Sequence, residues 1–341
     1  MLEWKKLGEV CSFNRGKTIT AKDACDGDVP VIAGGQTPSY FHNESNRTGE
    51  SITVAGSGAY AGFVSYWNQP IFVSDAFTVD PKGPMLHKYI FHWLKMNQQR
   101  IFATQKGAGV PHVHGKDIAN FEIPVPSITE QTRIVGILDT FTASIENLKQ
   151  QIAQRRKQYE HYRDQLLDLE GKEGVEIKTI GEVCKTITPP KKLATKNYQL
   201  QGLFPIIDQG QSVIVGYTDD ESALVPNGEY VLFGDHTRFV KFYKGRFAQG
   251  ADGLKILKVK DFVSSRYFYF AFSNAEVPSR GYSRHWSIAK ELPIPVPSIT
   301  EQQHIVSILD TFEASIANLE QQLAQRERQY EYYRNKLLTF E

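Results

Sequence analysis

Four short motifs carry residue types that perform chemistry in other settings, and each lacks a part. Gly16-Lys17-Thr18 has the ending of a phosphate-cradling loop, but the G-x-x-x-x-G-K-[ST] pattern needs glycine at position 11, where Cys11 stands. Thr188-Pro-Pro190-Lys191 lies close to the N/D-P-P-aromatic motif of amino methyltransferases, without the Asn/Asp or the aromatic residue. Glu3-Trp-Lys5 and Glu176-Ile-Lys178 have the E-x-K end of many nuclease sites. The first has no room upstream for the aspartate such a site needs, which points to a strand edge. His112-Val-His114 places two imidazoles on one strand face, short of the three or four ligands of a metal site, and a polar loop is the simpler reading. His42, His87 and His92 are scattered. No nucleophile–base dyad or triad has workable spacing, so the chain is expected to be non-catalytic.

A second set of residues suits recognition rather than reaction. Three polar, glycine-containing loops occur twice, in the same order. Gly35-Gln36 parallels Gly210-Gln211, with Gln209 just ahead. Gly56-Ser57-Gly58-Ala59-Tyr60 parallels Gly234-Asp235-His236-Thr237-Arg238. Gln105-Lys106-Gly107, continuing to His112 and His114, parallels Ser279-Arg280-Gly281-Tyr282-Ser283-Arg284-His285. Glycine lets backbone approach a partner closely, and the polar residues supply the donors and acceptors that base edges and phosphates require. The same residues are also ordinary turn chemistry. Net charge does not decide between the two readings: it is +1 overall. Residues 1–122 carry 12 Lys+Arg against 11 Asp+Glu, and residues 171–293 carry 17 against 13, so the positive excess sits in the segments that hold these loops.

What positions the loops is a duplication. Ile123–Glu170 aligns without a gap to Ile294–Glu341, with 34 of 48 positions identical. Glu3–Cys11 matches Glu176–Cys184, and between these landmarks similarity nearly vanishes. Pro126 and Pro297 precede Ser127-Ile-Thr-Glu130 and Ser298-Ile-Thr-Glu301, both of capping-box form, in which the Ser accepts from a backbone N–H and the Glu reaches back. Beyond them apolar residues recur at alternating steps of four and three: Ile134, Leu138, Phe141, Ile145, Leu148, Ile152, Tyr159 and Tyr162 in the first copy, and Ile305, Leu309, Phe312, Ile316, Leu319, Leu323, Tyr330 and Tyr333 in the second. A 3.5-residue period held over five heptads predicts a coiled-coil seam. Arg155 and Arg326 interrupt it at matching layers, either fixing register or snorkelling outward.

The expected class is therefore α+β. Two mixed α/β domains (residues 1–122 and 172–293) alternate with two long helices (residues 123–171 and 294–341), antiparallel and related by a pseudo-two-fold. Strands are predicted at Val29–Ala33, Ser51–Ala55, Gly62–Tyr66 and Ile71–Val73, and at Phe204–Ile207, Tyr230–Phe233, Phe239–Tyr243 and Gly253–Val259. Helices are predicted near Met85–Ala103 and Ser264–Asn274. Cys11, Cys25 and Cys184 form no C-x-x-C pair, and the repeated Cys11 and Cys184 read as small core residues. With neither a signal core nor a 20-residue apolar run, a cytoplasmic location is expected.

A divergent domain, then I-P-V-P-S-x-x-E-Q-x-x-I-V-x-I-L-D, then a helix ending R-x-Q-Y-E-x-Y-R-x-x-L-L, twice over, resembles the specificity subunit of type I restriction–modification systems. The resemblance covers the whole chain, which is short for that family, and type IIB specificity subunits share the motifs. It implies two target recognition domains, each reading one half of a split double-stranded DNA sequence through the major groove. It implies helices that set the spacer and dock two methyltransferase subunits, with restriction/translocase subunits joining them. S-adenosylmethionine, ATP and Mg²⁺ would belong to those partners. The competing reading is a coiled-coil scaffold that touches no DNA.

Overall fold

The computed structural model describes residues 2–340 except Tyr282. They form two compact units, Met1–Gln150 with Glu320–Glu341, and Gln151–Leu319. Each unit holds one variable domain and part of both long helices.

In the first unit the strands are β1 (Glu3–Lys6), β2 (Cys11–Arg15), β3 (Val29–Ile32), β4 (Tyr40–His42), β5 (Glu50–Ala55), β6 (Val64–Asn68), β7 (Phe72–Val73), β8 (Ala76–Pro81) and β9 (Glu122–Val125). They make an antiparallel sheet β2-β8-β5-β6, a small sheet β4-β3-β7 and a ribbon β1-β9. The second unit has β10 (Glu176–Thr179), β11 (Cys184–Ile187), β12 (Phe204–Ile207), β13 (Gly216–Thr218), β14 (Leu224–Gly234), β15 (Val240–Gln249), β16 (Leu254–Val259) and β17 (Pro293–Val296). Here one sheet runs β11-β16-β14-β15-β12-β13, beside the ribbon β10-β17. The topologies match once β6 and β7 are read as one broken strand. β7 runs parallel to β3 as β15 runs parallel to β12. Gln69-Pro70 interrupts the first copy because proline brings no N–H to the ladder. No such break interrupts Val240–Gln249, so the second unit's two sheets fuse.

The domain helices are His87–Met96 and Ser265–Asn274. The helix expected over Met85–Ala103 ends at Met96 and resumes as Gln98–Phe102, because buried Asn97 turns its amide onto Trp93 O (2.9 Å). Strand β8 was not expected; buried over Ala76–Val79, it shows none of the alternation that marks a half-exposed strand.

The domain and its long helix share one core. Leu7, Tyr89, Ile90, Trp93, Ile134 and Leu138 are fully or almost fully buried together, as are Ile180, Tyr267, Phe268, Phe270, Ile305 and Leu309. Cys11 and Cys184 lie in the same clusters, and burial pushes each thiol up to about 12.

One set of polar links repeats in both units. Gln131 Oε1 accepts from Leu86 N (3.0 Å), and its Nε2 donates to Pro126 O (3.0 Å) and Pro84 O (3.2 Å). Gln302 accepts from Ser264 N (2.8 Å) and donates to Pro297 O (2.9 Å) and Phe262 O (3.2 Å). Tyr89 donates to Pro124 O (2.9 Å) and Tyr267 to Pro295 O (2.8 Å). Lys88 pairs with Asp139 (2.5 Å) where Arg266 pairs with Asp310 (2.7 Å) and Glu313. Burial alone would push Asp139 up, but hydrogen bonds with His92 and Lys88 outweigh it and hold the carboxyl below its ordinary value. Burial would lower Arg266, yet its two acidic partners raise it. The clamp fastens each domain helix at the same three points, two on a long helix and one on the strand that precedes it.

The long helices are Ile128–Leu167 and Ile299–Thr339, and they pack antiparallel inside each unit. In the first, Phe141 stacks on Tyr333 (5.3 Å) and Lys149 pairs with Glu327 (3.6 Å). In the second, Phe312 meets Tyr162 (5.4 Å) and Tyr159 (6.4 Å). Arg155 lies over Phe312 (5.8 Å) and Arg326 over Phe141 (5.7 Å), so both seam arginines stack on the facing helix, a contact of about 0.5–1 kcal/mol at an exposed site. The seam is not closed along its length: Tyr162 and Tyr333 remain 44% and 41% exposed. Capping is half as expected. Ser127 and Ser298 accept from the N–H three residues on (3.3 Å each), but Glu130 turns to Arg133 (2.6 Å) instead of reaching back. Among the described residues no helix is long and apolar enough to cross a membrane.

Candidate nucleic-acid interface

The three loops of each domain, far apart in sequence, meet in space. In the first domain, Lys106 and His112 exchange backbone hydrogen bonds (3.0 and 2.8 Å), and Gly58 N donates to Pro111 O (3.0 Å). Gly34, next to Gly35, must be glycine, because a Cβ there would sit 2.3 Å from Ser57 O. Gln36, Tyr60, Lys106, His112 and His114 are exposed around this junction. The His112 and His114 rings lie parallel at 6.3 Å. Gln105 turns inward, donating to Ala61 O (2.8 Å). Lys106 pairs with Asp117 (2.5 Å). Burial would raise Asp117, but the hydrogen bonds from Lys106 and the His114 N–H lower it overall.

In the second domain Gln209 holds the junction. Its carbonyl accepts from Thr237 Oγ1 (2.5 Å) and its side chain from His236 N (3.2 Å). Lys241, 5% exposed, donates to Asp208 O (2.9 Å) and Ser212 O (2.5 Å), closing the loop around Gly210-Gln211. Burial pushes the Lys241 ammonium down, and nearby Asp208 opposes it. Arg238 has φ 64°, the left-handed region that costs a non-glycine residue energy, and donates to Val277 O (2.9 Å). Gln211, Arg238, Arg280 and Arg284 are exposed; Tyr282 lies outside the described residues.

Two candidates are corrected. Asp235 and His285 are 1% and 0% exposed. Asp235 accepts from Trp286 N (2.7 Å), and Lys255 sits 3.5 Å away. The His285 ring lies 3.0 Å from Asp235 O through Nδ1, and its Nε2 accepts from Arg280 N (3.0 Å). They bind loops to one another and are not presented to a ligand. The loop alignment also shifts by one. Gly56 N donates to Asp75 O and Gly56 O accepts from Val113 N; Asp235 N donates to Gly253 O and Asp235 O accepts from His285 N. Asp235, not Gly234, thus fills the place of Gly56.

Sequence reading missed the floor of the first junction. Arg15, Asp75 and Lys116 line a cleft of about 440 Å³ with Ser57, His112 and His114. Arg15 adjoins Gly16-Lys17, whose residue types drew attention only to a nucleotide loop. That reading fails in the structure: Gly16 N and Lys17 N donate to Ala76 O and Val73 O, and a Cβ on Gly16 would lie 2.2 Å from Ser74 O. Glu3 and Lys5 are exposed strand residues paired to each other (2.9 Å), and exposed Glu176 pairs with half-buried Lys178 (2.5 Å). No group of His, Cys, Asp or Glu among the described residues is placed to hold a metal.

Each unit thus carries its own loop cluster on the same clamp, and the two clusters are unlike. The chain belongs to the type I restriction modification DNA specificity family, whose domain matches residues 1–155 and 172–328. It is similar to the EcoR124I/EcoR124II specificity subunit of Escherichia coli, 27% identical over 99% of this chain and 94% of that one. A putative type I specificity subunit of Haemophilus influenzae is 25% identical over 99% and 96%. In fold it matches the S subunit of a type I restriction–modification system from M. genitalium, with a TM-score of 0.74 at 18% identity, covering 99% of this chain and 96% of that one.

Proposed function

We propose that residues 1–122 and 172–293 each read one half of a bipartite double-stranded DNA target. The helical segments 123–171 and 294–341 set the spacer and dock two methyltransferase subunits, which restriction/translocase subunits join. The chain itself performs no chemistry; S-adenosylmethionine, ATP and Mg²⁺ belong to the partners. The observation that carries this reading is the repeated clamp. The same glutamine, tyrosine and cation–Asp contacts hold domains whose loop clusters differ in nearly every exposed residue, as two readers of two half-sites require. Gln36, Ser57, Tyr60, His112 and His114 face the first half-site, and Gln211, Arg238, Arg280 and Arg284 the second. Gly35, Gln105, Gln209, His236 and Thr237 shape the loops. An electrophoretic shift with the methyltransferase partner present, against a randomised duplex pool, should select a split sequence; no preference for any such sequence sinks the reading.

Exposed cations should act through the phosphate backbone. Replacing Lys106, Arg238 and Arg284 together with alanine should leave assembly with the methyltransferase intact. It should weaken DNA binding roughly 100-fold or more at moderate salt. The slope of log K against log[salt] should flatten by about one for each phosphate no longer neutralised. Unchanged affinity and slope would favour the scaffold.

A further inference from the structure

Among the described residues, Asp75 is the only acidic side chain lining the first domain's cleft. It lies directly before β8, and its backbone is pinned by Gly56, whose N–H donates to Asp75 O (3.0 Å). One carboxylate oxygen accepts from Ser57 Oγ. The other accepts no hydrogen bond among the described residues. The carboxylate is thus tied to Ser57 at the lining of the cleft and keeps acceptor capacity beyond that bond. Arg15 and Lys116 flank it, with the exposed His112 and His114 beside them.

A carboxylate is a poor neighbour for phosphates, and ionised it can only accept. On a DNA-facing surface the partners that suit it are the exocyclic amino groups of bases, the 4-amino group of cytosine and the 6-amino group of adenine. The second domain has no carboxylate at the equivalent position. Gly253 stands in the place of Asp75, since Gly253 O accepts from Asp235 N as Asp75 O accepts from Gly56 N.

We infer that Asp75 is a specificity-determining residue that accepts a hydrogen bond from a cytosine or adenine amino group in the half-site read by the first domain. The inference rests on the DNA-reading function proposed above. Its test uses the full chain assembled with its methyltransferase and the target selected from the randomised pool. Amino groups are deleted one at a time from the DNA, with 2-pyrimidinone for cytosine and unsubstituted purine for adenine, against wild type and Asp75→Ala, which removes the acceptor altogether. One position in one half-site should lose roughly 10-fold or more in affinity with wild type and lose nothing further with Asp75→Ala. The analogue that does so tells cytosine from adenine. Asp75→Glu, which keeps the carboxylate, should restore part of the sensitivity. If no position reaches that loss with wild type, or if the sensitive position stays equally sensitive in Asp75→Ala, Asp75 reads no base. The analogue series on wild type decides the first point even should Asp75→Ala fold poorly. Failure to select any split sequence at the outset would instead remove the DNA-reading function itself.

Discussion

Removing one heptad from each long helix, Leu148–Gln154 together with Leu319–Gln325, should move the preferred spacer between half-sites about three base pairs shorter. Binding to the parent spacer should fall by two orders of magnitude or more. The two segments are the same stretch in the two copies of the repeat. Seven residues preserve the seam period, so each remaining apolar residue keeps its layer. Each helix loses about 10 Å at 1.5 Å per residue, and a duplex turn of about 34–36 Å holds 10–10.5 base pairs, so 10 Å is near three. Three base pairs also turn the groove by about 100°. Recovery at the new spacer should therefore be partial, and a series of duplexes with spacers of graded length reads both effects at once. An unchanged optimum would mean that the helices do not measure the target.

The two kinds of element were unequally legible, for a physical reason. The long helices announce themselves because burial repeats every 3.5 residues and duplication wrote the pattern twice; Ile134, Leu138, Ile305 and Leu309 are fully buried as the period requires. The loops were recognisable as polar and glycine-rich, but not by role. Asp235 and His285 have the residue types of a binding surface, and only the fold shows their polar atoms turned to backbone groups and to each other's loops. Asp75 and Arg15 meet His112 through strand pairing that no local pattern encodes. The clamp was hidden for the same reason. Gln131 and Gln302 sit in a Glu-Gln pair that reads as solvent-facing helix surface, and their partners Leu86 and Ser264 lie 45 and 38 residues away.

Those glutamines should prove to be among the most sensitive polar residues in the chain. Both are 0% exposed, and each joins the start of its domain helix to the strand-to-helix turn that leads into the long helix. Gln→Leu at either position keeps volume and removes the partner of one backbone N–H and two backbone carbonyls. Each buried group left unsatisfied costs about 1–3 kcal/mol. Pro84 is exposed and can turn to water, so its carbonyl adds little. A loss of about 2–5 kcal/mol of unfolding free energy is expected for Gln131→Leu or Gln302→Leu, measured by urea denaturation. A surface control such as Gln303→Leu should stay within about 0.5 kcal/mol. Hydrogen exchange should place the weakening of Gln131→Leu in the first unit and that of Gln302→Leu in the second, because the two clamps share no residue. If both variants unfold at the parent midpoint, the clamp contributes nothing to stability. The repeated hydrogen bonds would then be a by-product of the duplicated helices and not the fastening that lets one frame hold two different domains.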